Sequence, residues 1–186
     1  HIIVGKFHQT EMDKAKIIEE LKRTYFGFIA FVDPMSEADF TYSPDGVKWT
    51  AGQQADHLCR SLAPLNKGAG APEFVLKSMF GKADHPSVGY DELVARYQAA
   101  IPGVVAPDAY RPEAIPFEKK EKLLNDLRGH VEALCKKVEK FDEAKLDILV
   151  LPHPLLGKLT IREMLYFTIY HAEHHHRHVE QGLAQR

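Results

Sequence analysis

Five histidines, His171, His174, His175, His176 and His178, fall within eight positions of a 186-residue chain that holds 11 in all. Imidazole can ligate a metal, carry a proton or simply face solvent, and only spacing separates these roles. His171 and His175 are four apart, so on a helix their rings rise from neighbouring turns and can grip one ion. Two nitrogens do not close a site; a third ligand must come from elsewhere. His57 is the best candidate. It lies in the middle of a second helical pattern, off the centre of its apolar stripe, as His171 and His175 do on theirs. Such flanking positions point side chains into a cleft at the edge of a bundle core. Three imidazoles leave coordination positions open and suit zinc, nickel, iron or copper without choosing among them. Periodicity alone balances this site evenly against histidines that only face solvent.

The remaining histidines read more plainly. His174 and His178 form another pair four apart, farther from the stripe and more exposed. His178 could support a ligand, although a surface role is simpler, and His176 faces inward. His85, His130 and His153 read as loop or helix-surface groups, with His153, between two prolines, able to approach the mouth of the site.

Four long helical patterns must position these side chains. The last begins at Thr160, whose spacing to Glu163 is a capping box, and buries Ile161, Leu165, Ile169, Ala172, His176, Val179 and Leu183. Capping accounts for Glu163, and Glu173 faces away from the proposed ligands. The second begins at Thr50, with Gln53 as its capping partner, and runs to about Leu65, where Pro64 is expected to end it a residue or two early. Trp49 precedes it at a staple position, but the partner there would be polar Gln54. The first starts at Thr10, paired with Asp13, and carries Ile17, Leu21, Tyr25, Phe28 and Val32 inward; Gly27 either weakens it by roughly 1 kcal/mol or permits a close helix contact. The third starts at Pro116 and buries a stripe from Leu123 to Phe141.

Residues 66–115 are broken by turn signals and read as an irregular excursion across one end of the body, with short helices near 73–80 and 89–99. It could form a substrate wall, a peripheral subdomain or an oligomer contact. LVLPHPLLGKLT reads as a constrained connection in which Gly157 permits a sharp turn. The expectation is an all-α, four-helix bundle spanning residues 1–186 as one domain, with the excursion between the second and third long helices.

Composition narrows the function classes. Lys plus Arg number 24 against 26 acids, a net charge of -2, so no global field advertises a nucleic-acid partner. No apolar run approaches the ~18 residues of a membrane span, and no basic segment leads into one as a signal peptide would. Only Cys59 and Cys135 are present, which fits a reducing cytoplasm. Both lie on buried stripes, where a thiol is inert, so any thiol chemistry needs an external thiol. No Gly-rich phosphate loop suggests a dinucleotide fold.

Three segments in order, WTAGQQADHL around His57, LPHPLLGKLT before the last helix and YHAEHHHRH with His171 and His175, resemble the DinB/YfiT-like superfamily of small four-helix metalloproteins along nearly the whole chain. The resemblance implies metal ligation by His57, His171 and His175, zinc or nickel foremost, and a homodimer acting on a small-molecule substrate in the cytoplasm. It also implies enzymes that use low-molecular-weight thiols such as bacillithiol, mycothiol or glutathione. The leading expectation is therefore a divalent-metal-dependent thiol S-transferase; the alternatives are a metal-dependent hydrolase and a non-catalytic ligand-binding or dimerisation scaffold.

Overall fold

Each long helix forms where an apolar stripe recurs at helical spacing, and its stripe is what it buries. The computed structural model describes residues 11–186, in which helices α1 (Lys14–Val32), α3 (Ala51–Ala69), α6 (Lys120–Lys140) and α7 (Ile161–Leu183) make up the bundle. Helix α1 packs against α6 and α7, and α3 packs against the same two, so the four close into a ring. Tyr25 and Phe28 of α1, Leu58 and Leu62 of α3, Leu127 and Leu134 of α6, and Leu165 and Ile169 of α7 meet in one core. Shorter helices α2 (Glu37–Phe40), α4 (Glu73–Phe80) and α5 (Tyr90–Ala100) lie outside the ring.

The helix starts follow the side-chain chemistry. Asp13 itself caps α1, accepting from the Lys16 amide at 2.8 Å; Thr10, expected to start the helix with Asp13 as its partner, lies outside the described residues. Reciprocal capping boxes, Thr50 with Gln53 and Thr160 with Glu163, open α3 and α7. Gly27 is exposed and a Cβ there would meet nothing within 4 Å, so no close helix contact explains it.

Two boundaries differ from expectation. Helix α3 does not stop near Pro64 but runs through it to Ala69. An interior proline costs roughly 3 kcal/mol in an isolated helix, and here the last turns are held from outside. Leu65, Asn66 and Ala69 are buried, Asn66 Nδ2 donates to the His130 carbonyl at 2.9 Å, and Lys137 Nζ donates to Asn66 Oδ1 at 3.1 Å. At the third long helix, Pro116 leads into a 3-10 turn, Phe117–Lys119, and regular helix begins only at Lys120; Phe141 falls just past its end.

The connection before α7 is an antiparallel hairpin, β1 (Val150–His153) with β2 (Gly157–Thr160). Pro152 sits exposed opposite Lys158, a position open to proline because a two-stranded ribbon has only edges. Gly157 turns the chain at φ 72°. The excursion is tied beside this hairpin, the Ala83 amide donating to the Ile148 carbonyl at 2.9 Å. Its α4 packs on β1 and its α5 on α7.

Candidate metal centre

His57 projects from the middle of α3, and His171 and His175 from successive turns of α7. All three are buried, at 8%, 4% and 5% exposure. Their Nε2 atoms converge: His171 Nε2 lies 3.1 Å from that of His57 and 2.9 Å from that of His175. Ligand nitrogens about 2.0–2.1 Å from a tetrahedral ion stand about 3.3 Å apart, so an ion fits with shifts of a few tenths of an ångström. Among the described residues this triad is the group of side chains so arranged.

The far edges of two rings explain why the near edges can ligate. His57 Nδ1 donates to the Tyr110 carbonyl at 2.6 Å, and a carbonyl can only accept. The proton is therefore on Nδ1 and the Nε2 lone pair faces the other rings. His175 Nδ1 donates in the same way to Gln54 Oε1. Such partners fix tautomer and orientation in metal sites. Burial, reinforced by mutual repulsion among the histidines, pushes His171 and His175 well below the usual imidazole range. Burial also lowers His57. The donor set is thus neutral imidazole, the form that binds zinc-like ions. Aromatic rings brace it: Trp49 lies 5.0 Å from His57 and stacks on His175 at 6.2 Å, while Phe167 stacks on His171 at 4.7 Å.

The triad lies in the wall of a cleft of about 980 Å³ built by α3, α4, α7, the hairpin and residues 101–110. The cleft is large enough for a small-molecule ligand.

The chain matches the DinB superfamily over residues 20–179. It belongs to that family. Among solved structures, YfiT from Bacillus subtilis, described as a probable metal-dependent hydrolase with an unusual four-helix bundle topology, superposes with a TM-score of 0.58 at 16% identity, covering 92% of this chain and 88% of that one. At that identity the likeness shows a shared fold. No curated protein matches the chain. Among the described residues, no helix of this DinB-superfamily protein is long and apolar enough to cross a membrane.

The structure brings His57, His171 and His175 together, and the other histidines among the described residues are not part of the triad. His174 and His178 lie on the lip of the cleft with ring centroids 4.1 Å apart. His176 is half-buried and stacks on Phe31 at 4.6 Å. His85 meets the buried Glu163 carboxylate at 3.0 Å, so Glu163 does more than cap α7. Glu173 pairs with Arg23 at 2.7 Å, away from the triad.

His153 is buried and lines the cleft rather than lying on the surface. Its Nδ1 accepts from the Leu155 and Leu156 amides, each at 3.1 Å, which leaves the proton on Nε2. Every fully buried side-chain nitrogen or oxygen among the described residues has a partner, so Nε2, which has none among them, is not fully buried. Sequence reasoning missed Gln54 and the Tyr110 carbonyl. Gln54, three residues before His57 on the same helix face, carried a usable signal; a backbone carbonyl brought in from a distant loop carried none.

Proposed function

We propose that this protein is a metal-dependent enzyme of hydrolytic type that holds a divalent ion, zinc or nickel, at His57, His171 and His175 and acts on a small molecule in the cleft. The observation that carries the reading is the convergence of three neutral Nε2 atoms where an ion would still face the cleft. A divalent ion held by these residues would supply Lewis acidity to a substrate bond or to a water.

The chain's own residues do the rest. Gln54 and the Tyr110 carbonyl hold two ligand rings in register, and Trp49 and Phe167 keep the rings from turning. His153 stands one ring away from His171, 4.3 Å from Phe167. Burial pushes it down to about 4, so near neutral pH it is an uncharged Nε2–H donor. It can donate to an oxygen on which charge develops.

Elemental analysis of untagged protein should find one ion per chain, lost in each of the His57→Ala, His171→Ala and His175→Ala variants. Unchanged occupancy in any variant removes that residue from the site. Loaded protein should then cleave ester or amide substrates without an added thiol. Turnover that appears only with a low-molecular-weight thiol would replace hydrolysis by thiol transfer.

A further inference from the structure

The cleft is asymmetric about the triad. Helices α3 and α7 run in opposite senses, since Trp49, just before α3, stacks on His175 in the C-terminal half of α7, while Gly68, near the end of α3, meets the hairpin that leads into α7. On one side of the triad the lining mixes polar and apolar groups, with His178 and Gln181 of α7, Gln185 just past it and Lys48 beside Pro44, Val47 and Trp49. On the other it follows α3 from His57 through Ser61, Pro64, Leu65 and Gly68. These residues share one helix face over about 16 Å, at about 1.5 Å per residue.

The wall facing that stripe is apolar. It comprises Leu76, Met79 and Phe80 of α4 and Leu151 of β1. Leu65, Leu76 and Leu151 are 7%, 2% and 7% exposed, so they form a recessed floor, whereas Met79, at 66%, stands at the mouth. A Cβ on Gly68 would come within 2.9 Å of Leu151, so hairpin and helix are already in contact at the far end. The charged side chains lining the whole cleft, histidines aside, are Lys48 and Lys67, both exposed, and no carboxylate lines it among the described residues. A long recessed trough of this kind desolvates an aliphatic chain, and along α3 its polar lining groups are the Ser61 hydroxyl and the exposed Lys67 ammonium.

We infer that the substrate is an acyl compound with a long, uncharged, straight aliphatic chain, its polar end at the histidines and its tail in the trough along α3. This deepens the hydrolytic reading and rests on it for the polar end only. The tail site is a property of the trough itself.

Calorimetric titration with linear alkyl hydroxamates, from acetohydroxamate to laurohydroxamate, tests the two parts separately. With zinc-loaded protein, each added methylene should tighten binding about threefold, below the roughly fourfold expected for complete removal from water. Zinc-free protein should bind the whole series more weakly with the same dependence on length. Ala71→Phe, which places a ring in the trough from a half-buried position, should flatten the long-chain part of the series. Met79→Glu, at an exposed position that leaves the core untouched, should weaken the longest members most.

Affinity independent of chain length, or a length dependence that neither variant alters, overturns the acyl inference. If zinc makes no difference while the length dependence stands, the metal reading fails and the tail site survives. A protein that dimerises, turns monomeric on Met79→Glu and shows no length dependence has a subunit interface on this face, which also overturns the inference.

Discussion

Gln54→Leu is the sharpest probe of how the triad is built. In the native protein Gln54 accepts from His175 Nδ1, and both side chains are buried, at 4% and 5% exposure. Leucine fills similar space but removes the acceptor, leaving a buried N–H that water does not readily reach. An unsatisfied buried donor costs about 1–3 kcal/mol. The ring can escape that cost by turning, which takes its Nε2 off the ion, or by shifting its proton, which removes the orientation. Either way the loss appears in ion affinity, and about 1.4 kcal/mol per decade converts it to a roughly fivefold to 150-fold weaker Kd, which spans the range typical of outer partners in metal sites. Competition of zinc against a chromogenic chelator measures this directly. Gln54→Glu, which keeps an acceptor and adds charge, should hold affinity at or above wild type. A Gln54→Leu Kd within twofold of wild type, in a protein that still needs His175 for zinc, would refute the claim that this hydrogen bond orients the ligand. His57 offers no matching experiment, because its acceptor is a main-chain carbonyl that no substitution deletes.

Other tests are briefer. Gly27→Ala should stabilise the protein by about 1 kcal/mol, since the site is open and helical. Gly52→Ala should destabilise it by about 1–2 kcal/mol, because the new methyl would lie 2.7 Å from Phe40, a fully buried ring; chemical denaturation measures both. Two histidines should give pH effects of opposite sign in the metal-free protein. The lowered His153 contributes stability that is intact above pH 6.5 and lost as pH falls toward about 4, so His153→Gln should flatten the acid side of a plot of Tm against pH. His85, raised by Asp84 and then Glu163, contributes below pH 6.5 and loses that contribution as pH rises through its folded value, so His85→Gln should lower Tm near pH 5.5 and leave it unchanged near pH 9. Burial holds the Cys59 and Cys135 thiols up at about 12 and 11, so iodoacetamide near pH 8 should label neither in the native protein and both after unfolding, as mass spectrometry would show.

The bundle was readable because stripes and caps agree: Thr50 with Gln53 and Thr160 with Glu163 mark helix starts that the structure repeats to the residue. The hairpin was not, because two prolines in ten residues argue against strands unless the ribbon is known to have only edges. Pro64 misled for a related reason. Local propensity ends α3 there, whereas contacts of Asn66 with His130 and Lys137, distant in sequence, carry it on. In the site, spacing nominated His57, His171 and His175, but their orientation depends on a loop carbonyl at Tyr110 and on Gln54, and His153 entered the cleft through a turn whose shape no periodicity encodes.

Thr160 ends the hairpin and begins α7, and the next residues anchor that start. Glu163 receives the Thr160 amide at 2.8 Å, and Arg162 donates to Asp147 at 2.8 Å and to the Met12 carbonyl. The rotational phase of the helix is therefore set at its first turn and carried unchanged to His171. One residue inserted between Thr160 and His171 would swing both α7 imidazoles by about 100° around the axis, out of reach of His57. Length variation in this chain should therefore collect in its loops, and the stretch from Thr160 to His175 should keep its residue count even where its residues change.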